Sequence, residues 1–285
     1  MIPASFDYES PRELAEVLAL LASRDDAKIL AGGHSLLPAM KLRLAAPGLL
    51  VDLGRVSGLN YIREAGDWVR IGATTTHAEI AASGLLHVHS PLLGQTAACI
   101  GDVQVRNRGT IGGSLAHADP AADYPAAILA LDAELVAMSQ KGERTIPARK
   151  FFTGLFTTAL RPDELLTEVR VPVTSGWGVS YKKFAHPASG FAVVGVAAVV
   201  RMKGGKIAEA AVAVTGLSAH AYRASAVEKA LQRKPESAIA AASALAARRV
   251  EALSDYFASA DYRRHLAVVY TRRALEEAVA GAAGK

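Results

Sequence analysis

The chain has 285 residues, of which 51% are hydrophobic and 21% charged, a composition that can bury a sizeable core in about two domains. The formal net charge is +5, but acidic and basic residues are mixed without interleaved aromatic residues, which argues against a nucleic-acid-binding surface. The single cysteine, Cys99, excludes an internal disulfide, a cysteine-ligated iron–sulfur cluster and a cysteine-rich zinc site. Because Cys99 lies in an apolar segment, we expect a small buried side chain rather than a nucleophile.

The sequence also bears on location. No apolar run approaches the ~18 residues of a membrane-spanning helix, and the first residues lack the basic start and apolar core of a signal peptide. We therefore expect a cytoplasmic protein without a transmembrane segment.

The first fifty-odd residues predict a small α/β unit. The segment Ser10–Glu13 has the pattern of a capping box, with proline at the first helical position. Apolar residues then recur at helical spacing from Leu14 to Leu21. A short strand over 28–30 leads to a glycine pair, Ser35 is placed to cap a second helix, and a further strand covers 49–53.

The middle of the chain predicts hairpins and short helices. Turn residues at 65–67 and 140–142 separate pairs of strand-like segments. Thr76–Glu79 is a second capping box, and Ser90-Pro91 begins a helix that extends to about Ala98. An apolar helix ends near Leu131, and a strand covers 165–171.

A linker-like stretch over 174–178 precedes a segment of different composition. Three strands are predicted over 179–184, 192–202 and 207–215, the last two joined by a Gly204-Gly205 turn. Alanine-rich helices are predicted over 224–232, 235–252 and 262–280.

Two glycine motifs carry the chemistry. The first glycine motif is Ala31-Gly32-Gly33-His34-Ser35, and the second is Thr110-Ile111-Gly112-Gly113-Ser114. Glycine permits positive φ and close approach to a ligand, and successive amide groups in such a bend form an anion-binding nest. Neither motif is a Rossmann fingerprint or a Walker A loop. Two nests, with hydroxyls from Ser35, Thr110 and Ser114, would suit the two phosphates of a dinucleotide.

The motifs and their spacing resemble the FAD-binding subunit of molybdenum hydroxylases of the xanthine dehydrogenase and carbon monoxide dehydrogenase type. The resemblance rests on Ile29–Leu36, on Thr110–Ser114 and on Asp123, nine residues after Ser114. It extends over nearly the whole chain, including Asp163–Pro172 and Tyr181–Phe184.

The resemblance implies an α+β fold with two parts. Residues 1–175 would form a two-subdomain FAD-binding domain of the PCMH (vanillyl-alcohol-oxidase-like) type, divided into 1–57 and 58–175. Residues 176–285 would form a smaller domain with a three-stranded antiparallel sheet and a helical bundle.

The resemblance also implies roles for individual residues. The adenosine diphosphate part of FAD would lie in a loop formed by Ile29, Leu30, Ala31, Gly32, Gly33, His34, Ser35 and Leu36. The diphosphate and ribityl chain would be held from the other side by Thr110, Ile111, Gly112, Gly113 and Ser114. His34 would act through its backbone or as a polar contact, so that FAD is non-covalent.

Five further positions follow from the same resemblance. Asp123 would accept hydrogen bonds from cofactor hydroxyls, although a carboxylate stabilised at a helix start is compatible with the same position. Ile100 and Gly101 would lie against the flavin ring, and Leu166 near the adenine. Lys183 would lie near the isoalloxazine and stabilise negative charge on it, the alternative being a surface lysine. No catalytic acid or base is expected, and His87 and His89, although two residues apart, lack a third metal ligand.

The implied function is electron transfer. A large partner subunit would carry the molybdenum cofactor and a small one two [2Fe–2S] clusters, in a dimer of heterotrimers, and FAD here would pass electrons to NAD, a quinone, a cytochrome or oxygen. Two alternatives stay open: a self-contained FAD-dependent oxidase or dehydrogenase of a small molecule, and a non-catalytic nucleotide-binding scaffold.

Overall fold

The computed structural model describes residues 2–283, and the first of its units is a three-stranded parallel sheet. The sheet has the order β1-β3-β2, and one helix lies between each pair of consecutive strands in the chain. The bounds are β1 (Asp7–Glu9), α1 (Leu14–Ser23), β2 (Ala27–Leu30), α2 (Leu36–Lys41) and β3 (Leu49–Asp52).

The first predicted capping box is wrong. Helix α1 begins at Leu14, and its N-cap, Glu13, makes no side-chain capping bond. The apolar residues Val17 and Leu21 are what fix this helix, since they pack with Val51 in the core of the unit. Burial of one helical face therefore decides where the helix begins, rather than the polar residues before it.

The second unit is an antiparallel sheet of order β4-β5-β10-β6-β7, with six short helices inserted between β5 and β6. Its first elements are β4 (Ile62–Ala65), β5 (Trp68–Gly72), α3 (His77–Ala82), α4 (Gly84–His89), α5 (Pro91–Ala98), α6 (Val103–Arg108), α7 (Ile111–His117) and α8 (Tyr124–Ala130). The rest are β6 (Glu134–Ser139), β7 (Gly142–Pro147), β8 (Phe152–Gly154), β9 (Thr157–Thr158) and β10 (Leu165–Pro172). The capping box at Thr76 is confirmed, because its hydroxyl accepts from the Glu79 amide while the Glu79 carboxylate accepts from the Thr76 amide.

The third unit is an antiparallel sheet of order β11-β12-β13-β14. Its elements are β11 (Gly178–Ala185), β12 (Ala192–Lys203), β13 (Lys206–Thr215), β14 (Tyr222–Arg223), α9 (Ser225–Leu231), α10 (Ile239–Ser243) and α11 (Ala260–Ala283). The three predicted strands are present, and the two-residue β14 adds a fourth. The helix predicted over 235–252 is wrong: a short 3-10 turn and α10 replace it, so that Ile239, Ala242 and Ala246 reach one core.

Both faces of the third sheet are buried, which explains the uninterrupted apolar run in β12. Val194, Val196 and Val200 face the C-terminal helices. Ala197 and Val199 belong instead to the core of the second unit, where the completely buried helix α8 lies. Successive side chains of β12 point to opposite faces of the sheet. One face of β12 therefore packs against the C-terminal helices, and the other shares a core with the second unit.

None of the helices within 2–283 has the length and apolar character needed to cross a bilayer.

Candidate functional site

The two glycine motifs, about eighty residues apart in sequence, lie against each other. A Cβ added to Gly32 would be 2.2 Å from the carbonyl oxygen of Arg108 and 2.7 Å from the Cα of Gly109. A Cβ added to Gly113 would be 3.8 Å from the Cβ of Ala31. The absence of a side chain at Gly32 is therefore what allows the β2–α2 loop to touch the turn that leads into α7.

The first glycine motif presents free amide groups. Gly33 has a φ of +75°, and Ser35 stands at the N-cap of α2 without a side-chain capping bond. Within residues 2–283, the backbone amides of Gly33, His34 and Ser35 donate no hydrogen bond to another protein group. The His34 ring turns back instead, with Nδ1 3.0 Å from the carbonyl oxygen of Gly32. Three consecutive unengaged amides after a left-handed glycine are the arrangement of an anion-binding nest.

The interpretation of the second glycine motif as another amide nest is wrong. Its residues form the first turn of α7, with Thr110 as N-cap, and neither glycine has positive φ. The amides are already engaged: Ile111 donates to Thr75, Gly112 to Ala73, Gly113 to the Thr110 hydroxyl, and Ser114 to the Thr110 carbonyl.

Close packing is the reason for glycine in the second motif. A Cβ on Gly112 would lie 2.5 Å from the Cβ of Ala73. A Cβ on Gly113 would lie 2.8 Å from the capping oxygen of Thr110. The motif therefore offers a surface without side chains next to the first motif, together with the Ser114 hydroxyl.

A buried ionic cluster lies where the second unit meets the third. The Asp123 carboxylate accepts a 2.5 Å hydrogen bond from the Tyr181 hydroxyl and lies 3.0 Å from the Lys183 ammonium. Asp123 occupies the N-cap position of α8 but makes no side-chain capping bond, so its partners on β11 fix its position. Burial raises the pKa of Asp123 to about 6, while the positive charge of Lys183 and the hydrogen bond from Tyr181 act in the opposite direction.

Lys183 is not a surface lysine. Its side chain is 7% exposed, and its ammonium donates to the carbonyl oxygens of Cys99 at 2.6 Å and Gly190 at 2.8 Å as well as to Asp123. Three acceptors occupy all three ammonium hydrogens. A direct contact between Lys183 and flavin, which stays a prediction, would require one of these bonds to be exchanged.

The sequence reasoning missed Tyr181 and Gly190 as parts of this cluster. Tyr181 and Lys183 are two residues apart on β11, and residues at this spacing share one face of a strand. That spacing was the available signal for Tyr181. Gly190 lies in the loop after β11, and nothing local indicates that its carbonyl meets an ammonium.

The segment expected next to the flavin ring is held by a second cation. Arg106 donates to the carbonyl oxygens of Ile100 at 2.9 Å and Gly101 at 3.0 Å, and Gly101 has a φ of +46°. Cys99, expected to be buried, is exposed, because it follows the last residue of α5 and only its carbonyl turns inward to Lys183. Leu166 is 3% exposed and packs in the core of the second unit, so its predicted place near the adenine stays a prediction.

His77 packs against Gly109, immediately before the second glycine motif, and the sequence indicates for it only a place in a capping box. Its Nε2 would be 2.5 Å from a Cβ added to Gly109, and its ring packs on Tyr124 with centroids 5.3 Å apart. Burial, with the positive potential of His34 and Arg106, lowers the pKa of His77 from 6.5 to about 4. His77 is therefore neutral at physiological pH.

His89, one of the two histidines weighed as metal ligands, has its Nε2 3.6 Å from the carboxylate of Glu64. The part of the chain that the structure describes contains no group of three or more His, Cys, Asp or Glu side chains that could hold a metal ion.

Comparison with known proteins agrees with this geometry. Residues 4–174 match the model described as the FAD binding domain in molybdopterin dehydrogenase, and residues 179–278 match the CO dehydrogenase flavoprotein C-terminal domain. The chain belongs to the family of medium, FAD-binding subunits of molybdenum hydroxylases. The resemblance noted in the sequence and the predicted fold class are thereby confirmed.

Individual relatives agree over almost their full length. The carbon monoxide dehydrogenase medium chain of Hydrogenophaga pseudoflava is 40% identical over 282 residues, 98% of each chain. The nicotine 6-hydroxylase medium subunit of Paenarthrobacter nicotinovorans is 39% identical, over 95% of this chain and 96% of that one. In a solved structure, carbon monoxide dehydrogenase from Hydrogenophaga pseudoflava, a chain superposes with a TM-score of 0.96 at 42% identity and 99% coverage of both.

The residues present in this FAD subunit fit the cofactor of the family. The unengaged amides of Gly33, His34 and Ser35 are free to donate hydrogen bonds to a diphosphate anion. The Ser114 hydroxyl makes no hydrogen bond with any residue in 2–283, and the neighbouring Gly113 lies beside Ala31 of the first motif. His77, which packs against Gly109 just before the motif, is neutral and adds no charge to this site.

Proposed function

We propose that this FAD subunit transfers electrons from the [2Fe–2S] clusters of a partner subunit to an external acceptor. When bound, FAD supplies a ring that accepts two electrons and can release them singly or in pairs. The protein's part is to hold the cofactor, to set the electrostatics around it and to keep its ring edge near a partner. The main observation behind the proposal is that the first glycine motif has three free amides, those of Gly33–Ser35, and lies in contact with the turn that leads into α7.

The assignment of individual residues is part of the proposal. The loop Ile29–Leu36 would hold the adenosine diphosphate, with its three free amides on the phosphates. Thr110–Ser114 would border the diphosphate and ribityl chain through the Ser114 hydroxyl and the bare backbone of Gly113. Ile100 and Gly101, fixed by Arg106, would border the ring.

The iron–sulfur clusters of the proposed complex would lie on another chain. A [2Fe–2S] cluster needs four protein ligands, mostly cysteine, and this chain has one cysteine. Relatives are designated medium chains or medium subunits. A large molybdopterin-binding subunit and a small [2Fe–2S] subunit are therefore the proposed partners, in a dimer of heterotrimers in the cytoplasm, and the boundary near residue 175 is the proposed division between the two domains.

Purification of the full chain with and without its partner subunits tests the function. We expect the isolated chain to bind one FAD per polypeptide, to be reduced by dithionite, and to oxidise no small substrate. In the assembled complex, the substrate of the large subunit should bleach the flavin absorbance. Substrate-dependent bleaching by the isolated chain would favour a self-contained oxidase or dehydrogenase, and FAD binding without reduction would favour a scaffold. Failure to bind FAD would refute both flavin functions.

A further inference from the structure

The loop between α7 and α8, residues 119–123, is held by the C-terminal domain. The Ala192 amide donates to the carbonyl oxygen of Ala121 at 3.1 Å, and the Gly216 amide donates to that of Pro120 at 2.8 Å. Both donors stand at ends of strands in the third sheet. Two backbone carbonyls of this loop therefore find their partners outside the FAD-binding domain.

Two side chains of the same sheet complete the contact. The Thr215 hydroxyl lies 2.8 Å from the carbonyl oxygens of both Pro120 and Ala122, and its single proton is shared between them. The Tyr181 hydroxyl donates to the Asp123 carboxylate at 2.5 Å. Thr215 is 1% exposed and Tyr181 5%, so water cannot easily replace either donor.

The loop has few restraints of its own. Within it, Asp119 accepts from the amides of Ala121 and Ala122, which closes a local turn. The turn does not fix the direction in which the chain leaves towards α8. That direction is set by the donors on the C-terminal sheet, and it determines where Asp123 stands.

We propose that Thr215 and Tyr181 are positioning residues of the FAD site. From a domain that carries neither glycine motif, they hold the 119–123 loop and thereby keep Asp123, the carboxylate assigned to the cofactor hydroxyls, in the arrangement that binds the cofactor. The inference rests on the proposed function, because it assigns FAD to that site. It gives the C-terminal domain a share in cofactor affinity that the sequence motifs do not indicate.

Thr215→Val is the sharpest variant, because it keeps the shape of the side chain and removes only the hydroxyl. Its matched control is Thr271→Val, since Thr271 is equally buried in α11 and its hydroxyl has no hydrogen-bond partner among residues 2–283. FAD affinity of the full chain is measured by quenching of free FAD fluorescence, well below the unfolding temperature. Loss of a buried hydrogen bond that positions the loop should lower the affinity about tenfold in Thr215→Val. Thr271→Val should match the wild type.

Tyr181→Phe gives an independent second variant. Tyr222→Phe is its control, because the Tyr222 hydroxyl donates at 2.9 Å to the Ala246 carbonyl inside the C-terminal domain, away from the loop. Both variants lose one largely buried tyrosine hydroxyl, so both should lower the unfolding temperature. Only Tyr181→Phe should also weaken FAD binding.

Hydrogen exchange of the unmodified chain provides a test that does not depend on folding of a variant. If FAD binds only when the 119–123 loop is held in place, FAD also stabilises the hydrogen bonds that hold this loop. Added FAD should therefore slow exchange at the amides of Ala192 and Gly216 as well as in the first glycine motif. Protection confined to the glycine motifs would overturn the inference, as would variants that lose thermal stability but keep FAD affinity within twofold. A wild-type chain that binds no FAD would overturn the proposed function as well, which separates the two failures.

Discussion

Replacement of Gly32 by alanine tests the contact between the glycine motifs directly. The new Cβ would lie 2.2 Å from the carbonyl oxygen of Arg108 and 2.7 Å from the Cα of Gly109, whereas unstrained contacts lie at roughly 3.5 Å. Both obstacles are backbone atoms and cannot rotate aside. Gly109 is itself restrained, since its carbonyl accepts from the His77 amide at 3.0 Å. The first motif must therefore move by roughly 1 Å, at a cost of about 1–3 kcal/mol in the free energy of unfolding.

The same displacement should weaken cofactor binding. A shift of about 1 Å moves the free amides of Gly33–Ser35 away from α7, and we expect FAD affinity to fall at least tenfold, or about 1.4 kcal/mol. Gly84→Ala is the control, because a Cβ at the start of α4 meets nothing within 4 Å and should leave affinity unchanged. Unfolding by denaturant and FAD fluorescence titration measure the two quantities. A Gly32→Ala chain with affinity within twofold of the wild type and with unaltered stability would show that the motifs do not need this contact.

Three further predictions concern the buried cluster and its surroundings. Lys183→Met should lower the free energy of unfolding by about 3 kcal/mol and release FAD, because Asp123 would stay buried without its cation. His77 should make stability fall by about 2 kcal/mol from pH 7 to pH 5, since its pKa of about 4 in the folded chain lies below 6.5 and the unfolded chain binds the proton first. Cys99→Ser should leave FAD affinity and stability unaltered, because the side chain is exposed and only its carbonyl binds Lys183.

The Lys183 and His77 predictions each have a matched comparison. Lys182→Met removes the neighbouring lysine, whose pairing with Glu277 is at the surface, and should cost less than about 1 kcal/mol; an equal loss in both lysine variants would contradict the assignment of Lys183. For His77, the pH dependence is taken as the difference between wild type and His77→Gln. The difference is necessary because Asp123, with a raised pKa, contributes stability that is lost as pH rises from about 4 to 6. A Cys99→Ser chain with reduced affinity would place the thiol at the cofactor.

The sequence predicted most clearly those features that depend on residues close together in the chain. The capping box at Thr76, the apolar strand β12 and the two glycine motifs are local patterns, and each is found in the structure. The second motif shows the limit of such patterns. Its glycines were predicted to let a ligand approach, whereas the groups that they approach closely in the structure are Ala73 and Thr110. The amides of Ile111, Gly112 and Gly113 already donate to Thr75, Ala73 and Thr110, and no local pattern reveals those bonds.

Non-local contacts account for the other differences. Lys183 is separated by 84 residues from Cys99 and by 60 from Asp123, so sequence alone left a flavin contact and a surface lysine as equal alternatives. Ser10 was predicted to cap α1 but does not, because burial of Val17 and Leu21 stabilises the helix more than a polar cap would. The prediction of one helix over 235–252 is wrong for the same reason. Burial of Ile239 and Ala246 in the core stabilises the observed backbone more than the helix propensity of alanine stabilises a continuous helix.

The Asp123–Lys183 pair is better explained by specificity than by stability. Burial of both partners costs desolvation free energy, which the raised pKa of Asp123 reflects, and a buried pair often contributes little net stability. Replacing both residues, as in Asp123→Leu with Lys183→Met, should therefore restore part of the stability that Lys183→Met alone loses. If the pair serves the cofactor site, FAD affinity should stay low in the double variant although folding recovers. If stability and FAD affinity both recover in the double variant, the pair holds the two domains together without a role in FAD binding.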